Sequence, residues 1–357
     1  MNKVSVQASR SYEVLIERGI LINAGKEIHR IHNPCKAAII TDDIVERLYC
    51  DAVAASLAEC GFSTCRFSFP NGETSKTLGT YEDILNFLAE SYITRSDIII
   101  ALGGGVVGDL AGFAAASYLR GIDFIQIPTT YLAAVDSSAG GKTGLNLRAG
   151  KNLCGAFYQP FLVMIDCNTF KTLPQERFSD GTAETIKYGL IADESLFKLM
   201  ETGLPDERID EIVERCIKIK ASFITQDEYD NGARRLLNFG HTFGHAIERC
   251  SNYGISHGHS VGIGMLMAAG AAWNMGLSAE NCAPRIARAL ESNSLPLGVT
   301  YSINELTAAM AGDKKRRGDN ISLILPNRIG NCRIHDIPVD ELVAFVTSAF
   351  ETTASIC

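Results

Sequence analysis

The sequence predicts an α/β protein in two parts: a doubly wound parallel sheet over residues 1–173, followed by a mostly α-helical part over residues 174–357. Three observations lead there. Short apolar runs alternate with amphipathic stretches through the first half, a glycine-rich turn joins one of those runs to a helix, and near Pro174 the texture changes to long helical patterns. The length agrees, because 357 residues exceed one ordinary core and suit two of about 150–200 residues each.

Taken in order, KAAIITDD, STCRFSFP, DIIIALGGG and FIQIPTT read as strands, with DAVAASLAECG, YEDILNFLAES and DLAGFAAASYLRG as the helices between and after them. Such alternation indicates βαβ units and a parallel sheet. Beyond Pro174, IDEIVERCIKIKASFITQ and SVGIGMLMAAGAAWNMG read as helices, and ISLILPNRIGNCRIHDI as one short β-hairpin. No internal repeat and no low-complexity linker separates the parts. They are therefore expected to pack closely and share a cleft, where small-molecule sites usually lie.

Composition narrows the function. A formal net charge of −8 argues against a nucleic-acid surface, which needs a basic footprint, so an anionic ligand must be met by local positive charge. Eleven scattered cysteines without a CxxC pair fit a reducing compartment and packing roles. No run approaches the roughly 18–20 apolar residues that cross a bilayer, and MNKVSVQASRSYEVLIERG lacks the apolar block of a signal peptide. The cytoplasm is the expected location.

DIIIALGGGVVGDLAGFAAA carries Gly103, Gly105 and Gly108 in GxGxxG spacing, between a strand and a small-residue helix. Glycine lets the backbone approach a pyrophosphate, and the helix N-terminus supplies N–H donors. The loop is not in the first βα unit, so it is not the usual dinucleotide fingerprint. A tight turn with close helix packing is the plainer reading. PNGETSK, residues 70–76, is a surface turn by composition but offers Glu73 for a ribose hydroxyl and Lys76 for charge. GGKTG lacks the GxxxxGK[ST] spacing of an ATPase. Asp136, Lys142, Lys151 and Asn152 instead look like a glycine-framed rim for an anion.

Four of the seven histidines fall between His241 and His259. If residues 232–249 form one helix, Arg234, Asn238, His241, His245 and Glu248 share a face, with Leu236, Phe243 and Ile247 on another. Arg, Asn and His are not a usual solvated mixture, so this helix is expected to line a cleft. HExxH fails because Thr242 stands where its glutamate would be. A catalytic divalent metal commonly takes three protein ligands, and Glu184 of AETIKYG or His257 are candidates for the third. Glu184 and Lys187, three apart, suit a metal and a substrate oxygen, or a plain surface ion pair worth about 0.2–0.5 kcal/mol. AGDKKRRG reads either as a solvated loop or as lid charge.

The blocks GGGVVGDLAGFAAASYLRG, IPTTYLAAVDSSAGGKTGLN, GKNLCGAFYQP, AETIKYGLI, RRLLNFGHTFGHAIE, HGHSVGIGM and DKK together resemble the 3-dehydroquinate synthase family, over most of residues 35–330 and in the family's order. The resemblance implies an NAD-binding first domain and a metal- and substrate-binding second domain. It implies a carbon–oxygen lyase of the shikimate pathway, commonly a homodimer, using NAD and Zn2+ or Co2+ on 3-deoxy-D-arabino-heptulosonate 7-phosphate. The implied chemistry is transient oxidation at C5, phosphate elimination, re-reduction, ring opening and intramolecular aldol closure, which leaves NAD unchanged.

The resemblance places the metal ligands on Glu184, His241 and His257, with His245 handling protons. Its substrate contacts fall on Asp136, Lys142, Asn152, Lys187, Lys220, Arg234, Asn238 and Lys314, with Arg120 reaching in from a partner subunit. Of these, Asp136, Lys187 and Asn238 are expected to join His245 in the chemistry. Cofactor contacts fall on Asp42, Glu73, Lys76, Gly105, Val106, Val107, Gly108, Asp109, Thr129, Thr130, Lys142, Lys151 and Thr169. Two segments depart from the family: His257-Gly258-His259 stands where HGE is common, and residues 227–232 stand where DExExG is common, with Asp230 in place of the second glutamate. Another sugar phosphate cyclase and an iron-dependent alcohol dehydrogenase-like oxidoreductase are the competing enzyme readings.

Overall fold

The computed structural model describes residues 1–311, 316, 317 and 319–356. Two compact units emerge, Met1–Leu173 with Lys220–Tyr229, and Pro174–Ile219 with Asp230–Cys357. The short return segment departs from the expected division of the chain at Pro174. Its side chains explain why it groups with the first unit: Lys220 donates to Asp136, and Glu228 accepts from Ser9 and Gln159.

The first unit is built on β1 (Asn2–Val6), β2 (Tyr12–Ile16), β3 (Lys36–Asp42), β4 (Ser63–Phe69), β5 (Ile98–Gly103), β6 (Asp123–Pro128), β7 (Lys142–Leu147), β8 (Gly150–Phe157) and β9 (Leu162–Ile165). The main sheet has seven strands in the order β1-β2-β9-β6-β5-β3-β4. All neighbours are parallel except β1 and β2. Between them run α1 (Ala24–His29), α2 (Asp43–Val45), α3 (Asp51–Glu59), α4 (Leu78–Glu90) and α5 (Gly105–Ser117).

Strand periodicity explains the two-sided core. Ala37, Ile39, Ile98, Ile100 and Leu102 point to the layer holding Val53 and Leu57 of α3, while Ala38, Ile40, Ile99 and Ala101 point to the layer holding Leu88 of α4 and Leu110 and Ala114 of α5. Strands buried on both faces read as continuous apolar runs, which is why these were legible. Each fully buried aliphatic side chain contributes about 1.5–3 kcal/mol. The chain winds one way from β3 to β4 and the other way from β3 through β5 to β6. The switch point therefore lies between β3 and β5, and in such sheets ligands bind beyond the carboxyl ends of the strands there.

The second unit contains α6 (Gln175–Ala192), α7 (Glu194–Met200), most of α8 (Ile209–Gln226), α9 (His241–Cys250), α10 (His257–Asn274), α11 (Ala283–Ser292), α12 (Ile303–Ala311) and α13 (Leu342–Ile356). β10 (Arg316–Arg317), β11 (Asn320–Arg328) and β12 (Asn331–Pro338) form a small antiparallel sheet, with the expected hairpin as β11–β12.

The helix expected over residues 232–249 is interrupted. Residues Ala233–Asn238 form a 3-10 turn, Phe239 is extended, and Gly240 adopts φ 78° before α9 begins. The cause is packing against α10, because a Cβ on Gly240 would stand 2.5 Å from Met265 Cγ and 2.8 Å from the Val261 carbonyl oxygen. Arg234 and Asn238 therefore do not continue the histidine stripe of α9. Among the described residues every cysteine is free, and no helix is long and apolar enough to cross a membrane.

Candidate active site

In the second unit, α6, α9 and α10 bring Glu184, His241 and His257 together, their ligand atoms within 4.8 Å of one another. Glu184 Oε1 lies 3.5 Å from His241 Nε2 and 3.5 Å from His257 Nε2. Two donors at 2.0–2.1 Å from a tetrahedral Zn2+ stand about 3.3–3.4 Å apart, so this spacing fits a zinc-sized divalent cation. The other ring nitrogens are engaged. His241 Nδ1 lies 3.1 Å from the Phe239 carbonyl oxygen, and His257 Nδ1 lies 3.5 Å from Glu248 Oε2. Such contacts fix the tautomer that turns Nε2 toward a metal.

Glu184 has no exposed surface, and Lys187, one helical turn on, forms an ion pair with its Oε2 at 1% exposure. The surface-pair reading of Glu184 and Lys187 is thereby corrected, since a buried carboxylate persists only when paired or coordinated. His257 faces both Glu184 and Glu248. Burial works against its protonation, but hydrogen bonding to the two carboxylates raises its pKa to about 10.

Glu248 is the functional residue sequence reasoning missed, although it lay on the histidine stripe. It is 4% exposed. With His245 and His257 it forms a second group of possible ligands. His257 Nε2 faces Glu184 and His241 while Nδ1 faces Glu248, so the geometry makes Glu248 the partner that orients His257. His245 lies beside both, its ring centroid 5.6 Å from that of His241 and 6.2 Å from that of His257. His259 turns elsewhere, with Nε2 2.8 Å from Ser179 Oγ on α6. In this unit Arg234 is buried, and half-buried Asn238 donates to the Arg235 carbonyl. Lys314 lies outside the described residues.

In the first unit, Asp42, Gly105 to Asp109, and Thr129 and Thr130 gather at the carboxyl ends of β3, β5 and β6, across the switch point. Gly105, Val106 and Val107 open α5, where N–H groups lack an acceptor within the helix. Close packing is visible in the same motif: a Cβ on Gly108 would meet Gln126 Oε1 at 2.8 Å. Val107 takes part through its backbone alone. Its side chain is core, leaving only its backbone to face a ligand. The hydroxyl of Thr129 is buried and makes no hydrogen bond with the described residues, as expected of an atom reserved for a ligand. Asp42 Oδ1 accepts from Ile44 N and Val45 N at 3.0 Å, and the Thr169 hydroxyl donates to the Asp166 carbonyl, so these contacts hold both side chains in place.

The PNGETSK turn is not a plain surface loop. Lys76 is buried, paired with Asp109 and 2.6 Å from Asn152 Oδ1. Asn152 N donates to Asn146 Oδ1, and Asn146 Nδ2 donates to Glu73 Oε1 at 2.7 Å. Four predicted residues thus form one network through Asn146, which the motif reading passed over. Burial alone would lower the Lys76 pKa, but the charges of Asp109 and Glu73 outweigh it and raise the net value. Asp136, in a π turn over Ala133–Ser137, accepts from Lys220 Nζ at 2.8 Å. Lys142 is exposed at the start of β7 and Lys151 half-buried on β8. Exposed Arg120 follows Leu119, both at positive φ (69° and 51°), and Arg95 holds the Leu119 carbonyl.

Residues 66–180 match the family described as 3-dehydroquinate synthase N-terminal, and residues 181–316 the one described as 3-dehydroquinate synthase C-terminal. The chain belongs to the 3-dehydroquinate synthase family. It is 44% identical to the 3-dehydroquinate synthase of Streptococcus suis, over 94% of this chain and 96% of that one. The enzyme so named from Enterococcus faecalis is also 44% identical, over 95% and 96%. Among solved structures, a 2-deoxy-scyllo-inosose synthase with carbaglucose-6-phosphate, NAD+ and Co2+ superposes with TM-score 0.87 at 26% identity, covering 97% of this chain and 99% of that one. The 2-epi-5-epi-valiolone synthase of Streptomyces hygroscopicus, with NAD+ and Zn2+, gives 0.87 at 26%, covering 98% and 99%. A probable glycerol dehydrogenase from Sinorhizobium meliloti, at 14% identity and TM-score 0.67 over 96% and 98%, shares the fold.

The two overlapping ligand groups make opposite predictions. Glu184→Ala and His241→Ala should lose bound zinc on dialysis against chelator, whereas His245→Ala should retain it. Glu248→Ala should weaken affinity by about 10- to 100-fold. Metal analysis after dialysis checks this, and retention by Glu184→Ala with loss in His245→Ala would move the centre to the second group.

Proposed function

We propose that the chain converts 3-deoxy-D-arabino-heptulosonate 7-phosphate to 3-dehydroquinate and phosphate, as a cytoplasmic homodimer using NAD and Zn2+ or Co2+. The observation that carries this reading is the single Glu184 oxygen set 3.5 Å from two imidazole Nε2 atoms whose opposite nitrogens are already engaged. Family membership at 44% identity supports the substrate over those of the cyclases at 26%. The free cysteines among the described residues suit a reducing compartment.

When bound, NAD supplies a reversible hydride acceptor and the divalent cation polarises the oxygen of the alcohol being oxidised. The chain's own residues bind and orient. Arg234 offers a planar fork for the substrate carboxylate. Lys142, Asn152 and Lys314 supply positive and polar contacts for the phosphate, joined by Arg120 of a partner subunit. Lys220 and Asp136 already hold one another at 2.8 Å and are ready to share substrate hydroxyls. Lys187 stays paired with Glu184, Asn238 orients the substrate, and His245 moves a proton. Glu73, Lys76 and Asp109 hold the loop around the nucleotide, with Asp42, Thr129, Thr130, Lys151 and Thr169 as its further contacts.

Incubation with the heptulosonate phosphate, zinc and catalytic NAD should release phosphate stoichiometrically without accumulating NADH. Absence of phosphate release from protein loaded with metal and cofactor overturns the assignment, and NADH formed in step with turnover indicates a net oxidoreductase instead. The placement of Arg120 has its own test. Hybrids formed between Arg120→Ala and His257→Ala subunits should recover activity that neither variant has alone, and equally inactive hybrids would place Arg120 in its own subunit's site.

A further inference from the structure

His259 stands where the family's acid is common, and its environment gives it a role. The first three residues of α10 are His257, Gly258 and His259, and all three are tied to α6. His257 Nε2 faces Glu184 Oε1 at 3.5 Å. Gly258 lies against the α6 backbone so closely that a Cβ there would sit 2.3 Å from Asp180 Cα and 2.4 Å from the Asp180 carbonyl oxygen. Its N–H donates to Asp180 Oδ1 at 2.8 Å, and the same oxygen accepts from Ser256 Oγ at 2.6 Å. One carboxylate oxygen thus holds the residue before α10 and the second residue within it.

The third tie has a defined polarity. Ser179 Oγ donates its only hydrogen to the Glu176 carbonyl at 2.8 Å. The 2.8 Å contact with His259 is therefore an imidazole Nε2–H donating to Ser179 Oγ. A glutamate, ionised and acceptor-only, has no hydrogen to offer an oxygen whose own hydrogen is already spent. The histidine at 259 and the serine at 179 make a matched pair in this chain.

We infer that Asp180, Ser179 and His259 are positioning residues that fasten the first turn of α10 to α6 and so set the distance between His257 Nε2 and Glu184 Oε1. Glu184 lies four residues beyond Asp180 on α6, and His257 lies two before His259 on α10, so a slip of either helix changes the donor spacing directly. None of the three touches a metal. They act on the two residues that would. Two attachments on one short turn resist both translation and rotation, which a single tie does not.

The inference rests on the metal-centre reading, and the test separates the two. Co2+ binding is measured by competition with a chromophoric chelator, and the visible absorption band of the cobalt protein reports donor geometry. His259→Ala, at a half-buried position, and Asp180→Ala should each weaken Co2+ binding by about tenfold or more and alter the band, with the far-ultraviolet circular dichroism unchanged. His259→Gln, which keeps an N–H donor, and Asp180→Asn, which keeps Oδ1 as acceptor, should restore both readouts. Should Asp180→Ala fail to fold, His259→Ala with its Gln counterpart decides alone. Alanine variants that bind Co2+ with the parent's affinity and band overturn the fastening, while a parent protein that takes up no Co2+ overturns the metal centre and the fastening together.

Discussion

A carboxylate with no exposed surface governs the second unit. Glu184 is ionisable and fully buried, so its charge must be balanced where it stands; removing one partner of such an interior pair commonly costs about 3–5 kcal/mol. Lys187 supplies one cation on the same helix, and the two imidazoles approach the other oxygen. Three helices must therefore converge on one atom. Their close contacts have a common origin in small residues: Gly240 and Gly244 meet Val261 and Gly264 between α9 and α10, and Gly258 meets Asp180 between α10 and α6. The break at Gly240 has a further effect. It leaves the Phe239 carbonyl directed at His241 Nδ1, so the same local backbone that permits packing also sets the tautomer of a candidate ligand.

The first unit obeys a different constraint. A parallel sheet ends in loops along one edge, and the reversal of winding between β3 and β5 concentrates them at one place. Gly103 to Gly105, Asp42 and Thr129 reach that edge from adjacent strands. The hairpin of β7 and β8 then adds Asn146 and Asn152, which join Glu73, Lys76 and Asp109 into a continuous polar chain. Fixing Lys76 by a buried ion pair costs its freedom to move, but preorganised groups orient a ligand without further loss of entropy.

Much of this was legible because the physics was local. The strands at Lys36 and Ile98 carry continuous apolar runs, the one at Ser63 alternates through Cys65, Phe67 and Phe69, the one at Asp123 is broken only at Gln126, and the motif blocks carry their spacing with them. What was missed depended on distant partners. The N-terminal strands β1 and β2 are only five residues each, and β1 exposes Asn2, Lys3 and Ser5, so the pair does not stand out from the sequence. Nothing before Gly240 announces that α10 will press against it, so the polar stripe from Arg234 to Glu248 read as one helix. Lys220 to Gln226 continues the regular helical pattern of α8, and only pairing with Asp136, Ser9 and Gln159 assigns the stretch through Tyr229 to the first unit. Glu248 and His259 were visible as residues without roles. Each acts through a partner brought near by tertiary packing, Glu248 through His257 and His259 through Ser179, and sequence spacing holds no record of either contact.

Two imidazoles and one carboxylate, drawn from α6, α9 and α10, make up the proposed metal centre, although the chain offers eleven cysteine sulfurs as softer alternatives. X-ray absorption at the zinc edge on the zinc-loaded protein tests this most directly. Nitrogen and oxygen neighbours at about 2.0–2.1 Å are expected, with the outer-shell scattering of two imidazole rings. A sulfur neighbour at about 2.3 Å, or a spectrum without imidazole scattering, would contradict it.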